Sequence, residues 1–235
     1  MGKEIVYKDL GLIPYQAAWD LQTTLFEEVI ARKVSNRKAL PSEIQKQYHY
    51  LLFCEHPHVY TLGRNGKEEH LLLNETTLVE KKATFHKINR GGDITYHGYG
   101  QVVGYPILDL DEFFTDIGRY VRFLEEMVIR MLAEYDLLGE RIKGLSGVWI
   151  GKDTDNPRKI CAVGVHLSRW TTMHGFALNV NTDLSYFKYI VPCGIEDKAV
   201  TSMEQELGRK IDATAVKLKL KKHFSVLFEA TYKSI

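Results

Sequence analysis

The chain has 235 residues, 45% of them hydrophobic, which is enough for a substantial core and too many for a disordered segment. Its 31 basic and 30 acidic residues leave a formal net charge of +1. That balance argues against a dedicated nucleic-acid binder, because a phosphate backbone selects for a basic excess.

The elements follow in chain order. The opening stretch MGKEIVYKDLGLIPY has no apolar signal-peptide core, Val6 breaks the myristoylation pattern after Gly2, and no run reaches the length of a membrane span. Ala18, Leu21, Leu25, Val29 and Ile30 recur at helical spacing and predict a first amphipathic helix. A second is predicted from Ile117 through Tyr135, with Thr115 or Asp116 as its cap, and a third from Val216 to Phe228 after Asp212. Strand-like runs occupy 48–54, 85–91, 101–110, 146–151, 159–167 and 174–181, rich in β-branched and aromatic residues. Two strand-rich blocks separated by one long helix, without regular βαβ alternation, predict an α/β (α+β) mixed-sheet domain spanning 1–235. No linker divides the chain. Three cysteines (Cys54, Cys161 and Cys193) make no disulfide framework and suit a reducing, cytoplasmic compartment. The basic stretch KLKLKKH at 217–223 reads as the solvated face of the last helix.

Four stretches carry candidate chemistry. In CEHPHVYTLGR, Cys54, His56 and His58 alternate, but same-face strand positions are about 7 Å apart and do not converge on one zinc without a sharp bend. A strand end and loop is expected there. In NRGGDITYHGYGQ, Arg90, Asp93, Thr95, Tyr96, His97 and Gln101 crowd around four glycines. The spacing matches no phosphate-binding loop, and the polar density favours a ligand-binding loop over a plain hairpin turn. Lys159 opens an apolar strand, where partial desolvation suits a proton acceptor and a lysine snorkelling to water is the plainer reading. Cys161, two residues on, is expected to share its face and to be buried. Cys193 sits in a Pro-Cys-Gly step, a poor place for core filling. As a nucleophile it needs a cation nearby, and Lys159, His97 and His174 are the candidates among which residue type does not choose.

Taken together, EHPHVYTLGR, RGGDITYHGYGQVVGYPI, GVWIG, RKICAVGVHLSRWTTMHGFALNVNTDL and IVPCGIEDKAVTSM resemble the lipoyl(octanoyl) transferases, from about residue 10 to about residue 210. The resemblance implies the biotin/lipoate protein ligase fold, a larger mixed sheet with helices on one side and a smaller sheet closing a pocket. It implies an octanoyl-acyl carrier protein donor. The implied acceptors are lysines of lipoyl domains of 2-oxoacid dehydrogenases and of the glycine-cleavage H protein. No ATP, metal, nucleic acid or membrane is implied, and a monomer is expected. By the same matching Cys193 is the acyl-thioester cysteine and Lys159 the catalytic lysine. Arg90, Gly91, Gly92, Asp93, Ile94, Thr95, Tyr96 and His97 would line the acyl site, with Ala162, Val163, Gly164, Gly175, Phe176 and Ala177. Backbone N–H groups of the Arg90 loop and near Gly194 would stabilise an oxyanion. Tyr99 stands where the family usually has proline, and Cys161 where it often has alanine. Two other readings stay open: an ATP-dependent lipoate or biotin ligase of the same fold, and a non-catalytic acyl-binding module.

Overall fold

The computed structural model describes residues 3–191 and 199–233. The Cys193 expectation falls outside these described residues.

Among them, one large mixed sheet is formed by β1 (Lys3–Leu12), β2 (His49–Glu55), β6 (Gln101–Ile107), β7 (Gly139–Ile142), β8 (Leu145–Ile150), β9 (Arg158–Ser168), β10 (Thr171–Asn179) and β12 (Ala230–Tyr232). Their order is β12-β1-β2-β6-β10-β9-β8-β7, and β11 (Ala199–Val200) pairs with β9. The pairings of β1 with β12 and with β2 are parallel, whereas those of β6 with β2 and β10, and of β9 with β10 and β8, are antiparallel. A smaller sheet joins β3 (Val59–Leu62), β4 (Thr84–Lys87) and β5 (Ile94–His97) in the order β4-β3-β5.

Strand alternation sorts side chains onto the two faces of the large sheet. Leu51, Phe53, Val102 and Leu178 join a core with α3 (Ile117–Ala133) and α5 (Ala213–Phe228). Leu52, Cys54, Val103 and Ala177 pack instead with α1 (Tyr15–Asn36). Helices therefore cover both faces, and the expectation of helices on one side is corrected. The α1 stripe of Ala18, Gln22, Leu25, Val29 and Lys33 is buried at helical spacing and needs a sheet face of its own. Asp116 caps α3 by accepting from the Arg119 amide at 2.8 Å, and Asp212 caps α5 through the Thr214 amide at 2.8 Å. The basic stretch lies on α5 as expected, but it is tied down in places. Lys217 pairs with Asp9 at 2.8 Å, His223 meets Glu134 at 2.6 Å, and Leu220 is in the core. Two short helices, α2 (Glu75–Glu80) and α4 (Met203–Leu207), complete the described elements. No described helix is long and apolar enough to cross a membrane.

Candidate active site

The small sheet and the loop before β5 stand over β6, β8, β9 and β10, and a cavity of about 120 Å³ lies between them. One water needs about 10–15 Å³ on the same measure. The loop reaches the large sheet because Gly91 donates its N–H to the Val165 carbonyl at 2.9 Å. A Cβ on Gly164 would stand 3.2 Å from the Gly91 oxygen and 3.1 Å from Arg90 Cδ, so a residue without a side chain suits this approach. The Gly91 amide is thereby committed to a protein carbonyl and is not itself free for the oxyanion role expected of the Arg90 loop.

Of the residues expected from the resemblance, Arg90, Gly91, Gly92, Asp93, Ile94, Thr95 and His97 line the cavity from one side. Lys159, Ala162, Val163, Gly164, Gly175, Phe176 and Ala177 line it from the large sheet. Tyr96 does not. It is fully buried on the other side of β5, bonded to His58 Nδ1 at 2.7 Å and stacked on Tyr186. The physical reason is strand alternation, which turns Tyr96 away from the cavity-side Thr95 and His97 and into the core of the small sheet, which Ile94 joins while also reaching the cavity edge.

A β-bulge decides where Lys159 points. Trp149 pairs with Lys159 while Val148 pairs with Cys161, so β9 carries one extra residue at Ile160. Lys159 and Trp149 both line the cavity, with the lysine Nζ 4.7 Å from the indole centroid, an arrangement in which the ring face attracts an ammonium. Ile160 and Cys161 both turn into the core beneath α3. Cys161 thus does not share a face with Lys159. Its burial is as expected, and desolvation pushes its thiol well above the ordinary range.

Cys54, His56 and His58 do not converge. Cys54 lies in the α1 core, His56 donates from Nδ1 to the Ile13 carbonyl at 2.7 Å, and His58 meets Tyr96. Among the described residues no group of three His, Cys, Asp or Glu is placed to hold a metal. His97 and His174 do line the cavity, and burial lowers each of them to about 3. Burial thus disfavours a standing positive charge on either ring at neutral pH.

Several cavity residues went unnoticed in the sequence. Tyr15 comes from the start of α1, Tyr105 from β6, Asn179 from the end of β10, and Ile190, Ala199 and Val200 from either side of 192–198. Tyr15 and Tyr105 carried no local signal, because they read as ordinary core aromatics. Trp149 had one, in a strand otherwise made of small and aliphatic residues.

The turn at Gly98-Tyr99-Gly100-Gln101 is closed by the Gln101 amide on the Gly98 carbonyl at 3.2 Å, with Gly100 at φ +75°. That is the pattern of a type II turn, in which proline is favoured at the second position and glycine at the third. Tyr99 fills the proline position, is exposed, and sets its ring against His58 at 4.9 Å.

The chain matches the lipoyl protein ligase A/B catalytic domain over residues 14–225. It is 58% identical to the octanoyltransferase of Cytophaga hutchinsonii over 230 residues, which are 97% of this chain and 93% of that protein. Its fold is similar to that of the bipartite lipoate protein ligase of Thermoplasma acidophilum, described with its E2 lipoyl domain. The TM-score there is 0.71 at 16% identity, covering 100% of this chain and 87% of that one. Lipoate-protein ligase A bound with ATP gives a TM-score of 0.68 at 16% identity, covering 100% of this chain and 89% of that one. With a cavity walled by the expected loop and strands, and these likenesses along nearly its whole length, the chain belongs to the lipoyl protein ligase A/B catalytic domain family.

Proposed function

We propose that the chain is an octanoyltransferase that moves an octanoyl group from acyl carrier protein to a lysine of a lipoyl domain or of the glycine-cleavage H protein. The observation that carries this reading is that Lys159, Ile190 and Ala199 line one cavity. Ile190 precedes Cys193 by three residues and Ala199 follows it by six. The cavity walls suit an alkyl chain. Ala162, Val163, Phe176 and Ala177 offer hydrocarbon, and burial is worth roughly 0.8 kcal/mol per methylene, about 5 kcal/mol for the six of an octanoyl group. In the first half-reaction Cys193 gives its thiol proton to Lys159, the thiolate attacks the donor thioester carbonyl, a C–S bond forms, and the carrier thiolate leaves and takes that proton from Lys159. In the second, Lys159 accepts a proton from the acceptor ammonium, whose free amine then attacks the acyl-enzyme and expels Cys193 as the thiol. One thioester replaces another in the first step, so no ATP is consumed.

The test supplies purified enzyme and unmodified lipoyl domain with one of two donors. Octanoyl-carrier without ATP is expected to modify the domain. Modification only with free octanoate, Mg²⁺ and ATP would overturn the reading in favour of a ligase. Carrier binding without modification under either condition would make the chain an acyl-binding module.

A further inference from the structure

A run of hydrogen bonds through the cavity-lining Arg90, His97, Gln101 and Asn179 ends on the strand carrying Lys159. Arg90, which only donates, gives a bond to Thr61 Oγ1 at 3.0 Å, and Thr61 faces His97 Nε2 at 3.4 Å. His97 Nδ1 meets Gln101 Oε1 at 2.8 Å, and Gln101 Nε2 meets Asn179 Oδ1 at 2.9 Å. Asn179 Nδ2 donates to the Thr201 carbonyl at 2.9 Å, and the Thr201 amide donates to the Lys159 carbonyl at 3.0 Å. The far end is a carbonyl, which only accepts. The orientation of each amide and the His97 tautomer follow from either end and agree, so every bond in the run points the same way. Neutral His97 is the state such a run needs, and burial keeps it neutral.

We propose that Asn179 is a positioning residue for Lys159, an inference that rests on the function proposed above. Strand β11 is only two residues long, pairing Ala199 with Arg158 and Val200 with Lys159. So short a ladder does not hold itself. The Asn179 amide suspends Thr201 from β10, and the Arg158–Glu206 pair, with both bonds at 2.5 Å, closes the other side. Ala199, Val200 and Lys159 then face the cavity together. Thr201 is fully buried, so withdrawing the Asn179 donor strands a carbonyl with no water to replace it. The strand relieves this by moving, and it moves against Lys159. Asn179 lines the same cavity, but both ends of its amide are spent on Gln101 and Thr201, whereas the alkyl chain is proposed to lie on Ala162, Phe176 and Ala177.

Asn179→Asp tests this. The carboxylate still accepts from Gln101 but presents an acceptor to the Thr201 carbonyl. Octanoyl transfer to the lipoyl domain is expected to lose about 10- to 100-fold in kcat, the range a 1 Å misplacement produces, with KM for octanoyl-carrier kept. A residue that only supports the fold would lower the melting temperature and leave kcat per folded molecule unchanged. That result, or wild-type kcat, overturns the inference. If Asn179→Asp does not fold, Gln101→Glu carries the same expectation and the same refutation, since the new carboxylate keeps the bond to His97 and draws the Asn179 NH2 to itself, which turns the Asn179 oxygen toward the Thr201 carbonyl. Wild-type protein that transfers nothing overturns both this inference and the function. Active wild type with unaltered variants overturns this inference alone.

Discussion

Acid should unfold this protein from the inside. His56, His97 and His174 are 0%, 7% and 2% exposed, and burial lowers them from 6.5 to about 4, about 3 and about 3. Each is bonded in a neutral form, His56 to the Ile13 carbonyl and Tyr105 hydroxyl, His97 to Gln101, and His174 through Nε2 to Asn89 at 2.7 Å. Above pH 6.5 neither the native nor the unfolded chain protonates these groups. Below it the unfolded chain takes up protons that the native chain refuses, so stability is complete above 6.5 and falls as the pH drops toward the native values. At pH 5 each histidine lies about 1.5 units below its unfolded value and costs about 2 kcal/mol, so the three cost about 6 kcal/mol together. That is comparable with the whole stability of an ordinary domain, about 5–15 kcal/mol. Urea titrations at pH 7.5, 6.5, 5.5 and 5 should show a midpoint that falls slightly by 6.5, where the three cost about 1 kcal/mol together, and then drops steeply. His174 lies at φ +60°, where asparagine is tolerated better than most residues, so His174→Asn should remove about a third of that drop. Stability unchanged from pH 7.5 to 5 would show that these three histidines take up protons as readily in the native chain as in the unfolded one.

Other consequences concern the turn and the core. Tyr99→Pro should keep the fold and transfer activity. A turn-compatible proline gains about 0.4–1 kcal/mol and the lost Tyr99–His58 ring contact costs about 0.5–1.5 kcal/mol, so thermal melting should move little. Gly100→Ala should cost about 2–4 kcal/mol by the same measurement, because its Cβ would stand 2.4 Å from the Asn181 oxygen on a residue at φ +75°. Cys161→Ala should lower stability by about 1 kcal/mol and leave kcat at the wild-type value, since the bulge turns that side chain away from Lys159. A several-fold loss of kcat in a folded Cys161→Ala protein would contradict that placement.

How much was legible follows from where the information lies. The three long helices declared themselves, because α1, α3 and α5 each bury a stripe that repeats every three or four residues. The buried strands β6 and β10 declared themselves as apolar runs. Strands β3, β5 and β11 did not. They are four, four and two residues long, and they exist through partners brought from elsewhere in the chain. The Arg90 loop and Lys159 stood out through polar residues where apolar ones are the rule. The face that Cys161 takes was out of reach, because period-two reasoning fails at a bulge that only the neighbouring strand reveals. Tyr96 misled for a related reason, since a binding motif written as a continuous run folds into a strand whose alternate members face away. Asn179 had no signal at all, as its role lies in what it suspends.

Intact-mass analysis after exposure to octanoyl-carrier asks whether Cys193 carries the acyl group beside Lys159. The wild type should carry one octanoyl adduct, mapped to the peptide containing Cys193, and Cys193→Ala none. An adduct on another residue, or lipoyl-domain modification by Cys193→Ala at the wild-type rate, would contradict it.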